Sequence, residues 1–219
     1  MVAELAARTR IVAFVRIGLS VANPVRTLPQ RAILLFVALL LCAPALFAAE
    51  RYGTDLSGRP VNDLAGPNVR FVVLIFAASD CPISNRYVPE IARLNREFAP
   101  QGVRFWWVFP NPDDSASVVA QHIRDFSIGE DAILDTRQSL VHLAQATITP
   151  EAAILAVDSG SLRQLYRGRI DDRYLSIGQE RPQASLHDLE SAIAAALAGK
   201  PIPRPGGPPV GCSIVPLEK

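Results

Sequence analysis

Two continuous apolar runs dominate the pattern of hydrophobic and polar positions along this chain. Residues 69–76 (VRFVVLIF) and 103–109 (VRFWWVF) are rich in β-branched and aromatic residues and do not alternate with polar ones. Runs of this kind are typical of strands that are buried on both faces. Both segments are therefore predicted to be strands inside a sheet, and the first is expected to lie centrally.

Amphipathic patterns indicate helices after each run. Between Cys81 and Phe98 apolar residues recur at helical spacing, and Pro89 is expected to kink that helix. The other predicted elements are a lead-in hairpin at 54–68, a helix after 113–115, a strand at 133–135, a short helix at 139–143, strands at 151–157 and 162–167, and a helix at 185–198.

The order of these elements predicts the fold. Strand, helix, strand and helix in succession imply a parallel βαβ unit. Only Asp158–Ser161 separates the last two strands, which is too short for a crossover and therefore predicts an antiparallel hairpin. The fold class is predicted as α/β and thioredoxin-like, with a mixed central sheet, helices on both faces, a lead-in hairpin and an extended C-terminal tail.

The N-terminal segment has the features of an export signal. Residues 1–31 hold five arginines against one acid, and residues 32–49 carry no charge and end in small residues. This is typical of a secretory signal, although eighteen apolar residues leave an uncleaved membrane anchor as the alternative. The predicted organisation is a signal peptide or anchor at 1–49, a thioredoxin-like domain at 50–199, and a Pro/Gly-rich tail at 200–219. We expect an exported, periplasmic or extracytoplasmic protein.

Composition excludes one class of function. The whole chain has a net charge of +1, and the five N-terminal arginines leave the remainder mildly acidic. A mildly acidic body without runs of lysine or arginine is not typical of nucleic-acid binding.

His122, His142 and His187 fall on predicted helices without metal-ligand spacing, so no metal and no cofactor is expected.

Cys81 is the strongest candidate for a reactive group. It follows a predicted buried strand, begins a predicted helix and precedes Pro82. Unpaired N–H groups at a helix start favour the nucleophilic thiolate, whereas the charge of neighbouring Asp80 opposes it. A buried structural cysteine is the alternative. If Cys42 is removed with the signal, Cys81 and Cys212 remain, and two cysteines are the minimum for a redox pair.

Several segments together resemble the peroxiredoxin-like redoxins of the thioredoxin superfamily, which are related to the alkyl hydroperoxide reductase and thiol-specific antioxidant group. The segments are Cys81-Pro82 with Pro89-Glu90, Thr149-Pro150-Glu151 leading to Val157-Asp158, residues 165–174, residues 197–201, and Gly211-Cys212-Ser213-Ile214. The resemblance implies the thioredoxin fold, a nucleophilic Cys81, a cis peptide bond between Thr149 and Pro150 beside it, and a recurrent Cys212 in the tail.

The chain departs from this family pattern at three positions. Thioredoxin-type reductases carry a second cysteine where this chain has Ser84, and peroxiredoxins carry a Thr or Ser and a Pro where it has Ala78 and Leu74. A single active-site cysteine needs a resolving partner. Cys212 is the only intramolecular candidate, and a free Cys212 or an intermolecular partner are the alternatives.

Three functional hypotheses follow. The first is a thiol–disulfide oxidoreductase in which Cys81 attacks a protein or small-molecule disulfide, Pro150 and Thr149 shape the binding groove, and Ser84 hydrogen-bonds near the sulfur beside Pro82. The second is a thiol peroxidase with peroxidatic Cys81 and resolving Cys212. The third is a non-catalytic thioredoxin-fold binding module. The expected partners are a disulfide or a peroxide and an unidentified thiol reductant.

Overall fold

The first apolar run forms the middle of the sheet. In the computed structural model, which describes residues 51–129 and 131–217, β1 spans Phe71–Phe76 and all six residues are buried. It pairs in parallel with β2 (Val103–Phe109) and antiparallel with β5 (Glu151–Asp158). The predicted central position of this strand is confirmed.

A five-stranded mixed sheet organises the described residues. The other elements are α1 (Pro82–Arg86), α2 (Val88–Phe98), a 3-10 turn (Ala99–Gln101), α3 (Ala116–Phe126), β3 (Ala132–Leu134), α4 (Ser139–Ala144), β4 (Ile148–Thr149), β6 (Ser161–Gly168), β7 (Tyr174–Ser176), β8 (Gln179–Glu180), α5 (Asp188–Leu197) and β9 (Cys212–Ser213). The strand order is β3-β2-β1-β5-β6, and β6 pairs antiparallel with β5. The predicted parallel unit and antiparallel hairpin are both confirmed.

The side chains of β1 divide the core into two layers. Phe71, Val73 and Ile75 pack on one face with residues of α2, α3 and α5, because successive side chains of a strand point to opposite faces. Leu74 and Phe76 pack on the other face with α4 and the lead-in segment. Helices cover both faces of a mixed sheet, which is the thioredoxin-like arrangement that the sequence predicts.

The predicted single helix from Cys81 to Phe98 is wrong, since two helices occupy this stretch. α1 ends at Arg86, Tyr87 links the two, and α2 begins at Val88. Pro89 has no N–H to donate, and its ring would clash with the carbonyl four residues earlier, so one helix cannot continue through it. Pro89 instead lies in the first turn of α2, where a proline is tolerated.

The last helix also begins later than predicted. α5 starts at Asp188, whereas the sequence predicts a start at Ser185. The Asp172 carboxylate accepts hydrogen bonds from the backbone N–H groups of Ser185 and Leu186, at 2.6 and 2.9 Å. These bonds hold both residues outside the helix, and the side chain of Leu186 is exposed instead of facing the core.

A short hairpin of β7 and β8 was not predicted. Its strands are only three and two residues long, and most of their side chains are exposed. The predicted lead-in hairpin is present in a short form, in which an antiparallel bridge joins Thr54 to Pro60 and the Tyr52 N–H donates to the Val61 carbonyl at 3.1 Å. A second bridge joins Thr54 to Leu134 of the edge strand β3.

The C-terminal tail, predicted to be a mobile or extended arm, is extended along the domain. Ile202 and Val210 pack against the larger core layer. The Gly206 N–H donates to Asp188 Oδ1 at 2.7 Å, and Ile214 is buried in the second layer. The tail therefore runs from one face of the sheet to the other and is held at both ends.

The predicted signal peptide or anchor at 1–49 lies outside the described residues. The described part of the chain belongs to one compact unit, Ala48–Lys219. Within residues 51–129 and 131–217, none of the helices has the length and apolar character needed to cross a membrane.

Candidate active site

The fold places Cys81 at the carboxyl end of the central strand. The chain leaves β1 through buried Ala77 and Ala78 and reaches Cys81, which precedes the first residue of α1, Pro82. Cys81 has extended backbone angles, and its carbonyl accepts from the Asn85 N–H at 3.2 Å. Its side chain is 0% exposed, so the sulfur lies inside the protein and not on its surface.

The tail brings Cys212 next to Cys81. Both thiols are free, and Cys212 Sγ donates a hydrogen bond to Cys81 Sγ across 2.9 Å. The Cys81 thiol in turn donates to the Thr149 carbonyl oxygen at 3.2 Å. Because 131 positions separate the two cysteines in the sequence, only the folded tail makes them neighbours.

A two-stranded ladder holds Cys212 in place. β9 pairs antiparallel with β4, which sets Cys212 opposite Thr149 and Ser213 opposite Ile148. The Thr149 hydroxyl also donates to the Cys212 carbonyl at 3.3 Å, and the peptide bond from Thr149 to buried Pro150 is cis, as the family resemblance implies. The ladder therefore positions the tail sulfur, the cis proline and Cys81 together.

The close approach of the two strands requires a glycine before Cys212. A Cβ on Gly211 would lie 2.0 Å from the Thr149 carbonyl oxygen, a separation that atoms do not adopt. The tail continues to a second anchor, where Gln138 Nε2 donates to the Val215 carbonyl at 2.5 Å and the Val215 N–H donates to Asn111 Oδ1 at 3.4 Å.

The environment shifts the pKa values of the two thiols in opposite directions. Burial raises the pKa of Cys81, but the hydrogen bond from the Cys212 thiol and the nearby hydroxyl and backbone N–H of Ser84 favour the thiolate, outweigh burial and lower the pKa below its ordinary value. Burial, the hydrogen bond to Cys81 and the charges of Cys81 and Asp80 raise the pKa of Cys212 to about 12. One negative charge on the pair therefore resides on Cys81.

Of the two residues that flank Cys81 in α1, Ser84 is buried and Pro82 is exposed. The Ser84 side chain is 1% exposed, and its hydroxyl makes no hydrogen bond of good geometry to any group in the described chain. It lies close enough to lower the Cys81 pKa, so formation of the thiolate would give this hydroxyl an acceptor. Pro82 is exposed and lines a groove that also contains Cys212.

A buried carboxylate that no sequence motif indicates supports the loop before Cys81. Asp114 is 5% exposed and accepts a hydrogen bond from the Ser79 hydroxyl, two residues before the cysteine. Burial raises the pKa of Asp114. His122 lies near this carboxylate, its pKa is lowered by burial, and its ring packs between Phe109 and Phe126. The sequence spacing of Ser79 and Asp114 offers no signal for this contact.

Among the described residues, one group of acidic and histidine side chains lies close enough together to be considered as a metal site. Side-chain atoms of Glu90, His187 and Glu190 lie within 4.8 Å of one another. The Arg93 guanidinium forms ion pairs with both glutamates, so a positive charge already occupies this cluster. The two glutamates of this cluster are paired with an arginine, and the cluster is not part of the cysteine site.

Solved structures share the fold of this chain. A crystal structure of an uncharacterized conserved protein from Geobacillus kaustophilus is 25% identical, covers 74% of this chain and 86% of that chain, and has a TM-score of 0.60. A hypothetical protein from Sinorhizobium meliloti is 21% identical, with 74% and 87% covered and a TM-score of 0.61. A secreted Mycobacterium tuberculosis disulfide oxidoreductase is 17% identical, with 69% and 99% covered and a TM-score of 0.44.

Comparison with protein-family models gives no match for this chain, and no curated protein matches it.

Proposed function

We propose that this protein is a thiol–disulfide oxidoreductase whose redox pair is Cys81 and Cys212. The observation that carries the proposal is the contact of 2.9 Å between their sulfur atoms. Disulfide formation requires two neighbouring sulfurs, and disulfide exchange requires a thiolate. The pair supplies both, because the lowered pKa of Cys81 favours a thiolate directly beside the sulfur of Cys212.

The surroundings of the pair support this role. Ser84 occupies the position of the second cysteine of a dithiol reductase, and β9 delivers Cys212 from the tail to the same sulfur. Thr149 contributes its carbonyl as an acceptor for the Cys81 thiol, and Pro150 follows through the cis bond. In this proposal the distant tail cysteine replaces the local partner that the helix lacks.

Thiol peroxidase activity is the weaker candidate. A peroxide must reach the sulfur that it oxidises, and Cys81 is fully buried beneath the tail. Ala78 and Leu74 place no hydroxyl and no proline where peroxiredoxins carry them. No observation on the described residues favours peroxidase chemistry over disulfide exchange.

The proposed compartment is extracytoplasmic. Disulfides persist in oxidising compartments, and the charge and apolar pattern of residues 1–49 resembles a secretory signal. Signal cleavage would also remove Cys42 and leave the two cysteines of the pair.

A disulfide-exchange assay tests the proposed function. The full chain carrying Cys42→Ser is added to insulin and dithiothreitol, and to a reduced dithiol peptide after the protein has been oxidised. We expect the protein to accelerate at least one of the two exchanges, and Cys81→Ser and Cys212→Ser each to abolish that effect. Ser213→Ala, an exposed neighbour in β9, is the matched control that retains it. Acceleration that survives both cysteine substitutions would overturn the proposal.

A further inference from the structure

We propose that Cys212, and not Cys81, is the sulfur that exchanges with the substrate, and that the substrate is a polypeptide thiol flanked by an apolar side chain. This inference rests on the proposed function, because it assumes that Cys81 and Cys212 form the redox pair. It goes further by assigning the two sulfurs different roles and by naming the class of substrate.

Accessibility separates the two sulfurs. Cys81 is 0% exposed, covered by the ladder in which Cys212 pairs with Thr149. Cys212 is an exposed residue. Thiol–disulfide exchange proceeds by direct attack of one sulfur on another, so access decides which sulfur of the pair is attacked. An external thiol meets Cys212 first and reaches Cys81 only if β9 leaves β4.

A groove leads to the exposed cysteine. We call it the hairpin groove; it has a volume of about 400 Å³ and lies between α1 and the β7–β8 hairpin. The residues that define it include Pro82, Ile83, Tyr174, Ile177, Gly211 and Cys212. Cys81 is not among its lining residues. Ile177 is 75% exposed and lines the groove together with Cys212.

Charge in the hairpin groove selects among thiols. Its two charged lining residues, Arg86 and Glu180, form an ion pair at 2.8 Å and neutralise each other. A small acidic thiol such as glutathione therefore finds no unpaired cation among the lining residues. An apolar side chain next to a cysteine in a polypeptide could pack against Ile83, Tyr174 and Ile177, and this contact would remove apolar surface of both partners from water. The groove thus favours an extended polypeptide segment.

The exchange step is balanced without a further reactant. In the oxidised protein, the substrate thiolate attacks Cys212 Sγ, the new bond joins the substrate sulfur to Cys212, and the Cys81–Cys212 bond breaks. Cys81 leaves with the electron pair as a thiolate. A second substrate thiolate then attacks the substrate sulfur of this mixed disulfide and releases Cys212, which takes up a proton. The substrate gains a disulfide, and the protein becomes the dithiol.

The properties of Cys81 as a leaving group favour oxidation of the substrate by the protein disulfide. A thiol of low pKa leaves a disulfide faster, and stabilisation of the reduced form makes a disulfide more oxidising. Ser84 favours the Cys81 thiolate as it leaves, and the Cys212 thiol stabilises that thiolate once the protein is fully reduced. In the reverse direction, Cys212 would have to attack as a thiolate next to the charge of Cys81, which that charge disfavours. The pair is therefore arranged to donate its disulfide to substrate thiols.

Mapping of the mixed disulfide tests the assignment. The oxidised full chain with Cys42→Ser is mixed with a peptide that carries one cysteine next to leucine, stopped in acid at early times, and digested for mass spectrometry. The peptide is expected on the fragment that contains Cys212. A peptide found on the fragment that contains Cys81 would overturn the assignment.

A second measurement uses the single-cysteine variants Cys81→Ser and Cys212→Ser, both in the Cys42→Ser chain, with the oxidised dimer of the same peptide. We expect the variant that keeps Cys212 to form the mixed disulfide faster, because Cys81 stays covered. A faster reaction in the variant that keeps Cys81 would contradict the assignment.

The hairpin groove has its own test. Ile177→Ser is expected to slow reaction with the leucine-flanked peptide severalfold and to leave the reaction with 2-mercaptoethanol unchanged. Leu175→Ser, an exposed position on the same hairpin that does not line the groove, is the matched control and should leave both rates unchanged. Equal slowing by the two substitutions, or a faster reaction with glutathione than with the peptide, would overturn the substrate class.

The outcomes separate this inference from the proposed function. If no intramolecular disulfide links Cys81 to Cys212 under any oxidising condition, the proposed function fails. If that disulfide forms and the peptide is mapped to Cys81, only the assignment of the sulfurs fails.

Discussion

The two cysteines lie 2.9 Å apart but belong to regions with different structural support. Cys81 follows the central strand, is surrounded by core residues, and owes its position to the packing of β1 and α1. Cys212 lies on a tail segment that is attached by a two-residue ladder, a few hydrogen bonds and the packing of Val210 and Ile214. A rigid region thus holds one sulfur, and a tail attached at separate points presents the other.

The difference explains why the two thiols have opposite properties. The rigid region holds Ser84 at a fixed place beside Cys81, so the Cys81 thiolate is favoured despite burial. The tail leaves Cys212 exposed to solvent and to the hairpin groove. A change in the tail should therefore alter access to the pair, and a change near α1 should alter its ionisation.

The largest effect is expected from Gly211→Ala. The new Cβ would collide with the Thr149 carbonyl, so β9 must separate from β4 and uncover Cys81. Alkylation of Cys81 by iodoacetamide should become about tenfold faster or more, since each ~1.4 kcal/mol of lost attachment changes an equilibrium tenfold. Peptide mapping of the alkylated full chain measures this rate.

The matched control for Gly211→Ala is Gly129→Ala, because a Cβ on Gly129 meets no atom within 4 Å. It should leave alkylation unchanged. An unchanged rate in Gly211→Ala as well would contradict the view that the ladder covers Cys81.

The next effect is on ionisation. Cys212→Ala removes the hydrogen bond that stabilises the Cys81 thiolate, so the pKa of Cys81 should rise. In Cys81→Ala, the pKa of Cys212 should fall from about 12, because the neighbouring charge and hydrogen bond are lost. Ultraviolet absorbance of the thiolate against pH measures both midpoints in the Cys42→Ser chain. A Cys81 midpoint that stays fixed in Cys212→Ala would show that the two sulfurs do not interact.

A smaller effect is expected at the second anchor of the tail. In Gln138→Asn the shorter side chain loses the hydrogen bond to the Val215 carbonyl, while asparagine tolerates the left-handed backbone at this position, where φ is 55°. One net hydrogen bond is worth about 1 kcal/mol, so the tail should open roughly fivefold more often. Hydrogen exchange at the Ile214 amide detects this opening. An unchanged exchange rate would show that Gln138 does not hold the tail in place.

The smallest effect concerns the loop before Cys81. The pKa of Asp114 is raised in the folded protein, so the folded state binds this proton more tightly than the unfolded state does. The stabilisation that the protonated carboxyl gives is fully present below the unfolded pKa and is lost as the pH rises through the folded pKa, where the buried carboxylate becomes charged. Asp114→Asn should therefore increase the free energy of unfolding at pH 7 by under about 1 kcal/mol, and this gain should shrink as the pH falls toward 4. Urea unfolding at several pH values measures it, and a gain independent of pH would contradict the cause.

The rigid region was largely predictable from the sequence. The apolar runs of β1 and β2 determine which strands are buried, and the position of Cys81 after β1 follows from local pattern alone. The error in this region was the continuous helix, where the backbone effect of Pro89 is stronger than a kink.

The tail was less predictable because its path depends on distant contacts. Its Pro/Gly-rich segment has no periodic pattern, and its attachment to Asp188, Asn111 and Gln138 connects residues far apart in the sequence. The β7–β8 hairpin likewise consists of short, exposed strands without a hydrophobic alternation. The sequence left the pairing of Cys81 with Cys212 open, and only the folded chain brings the sulfurs together.

A redox titration of the full chain carrying Cys42→Ser shows whether Cys81 and Cys212 form one redox pair. The protein is equilibrated in mixtures of reduced and oxidised dithiothreitol, quenched in acid, and digested without reduction. We expect one two-electron transition in which a disulfide links the peptide containing Cys81 to the peptide containing Cys212. Two thiols that remain free throughout the titration, or a disulfide that joins two protein chains instead, would contradict it.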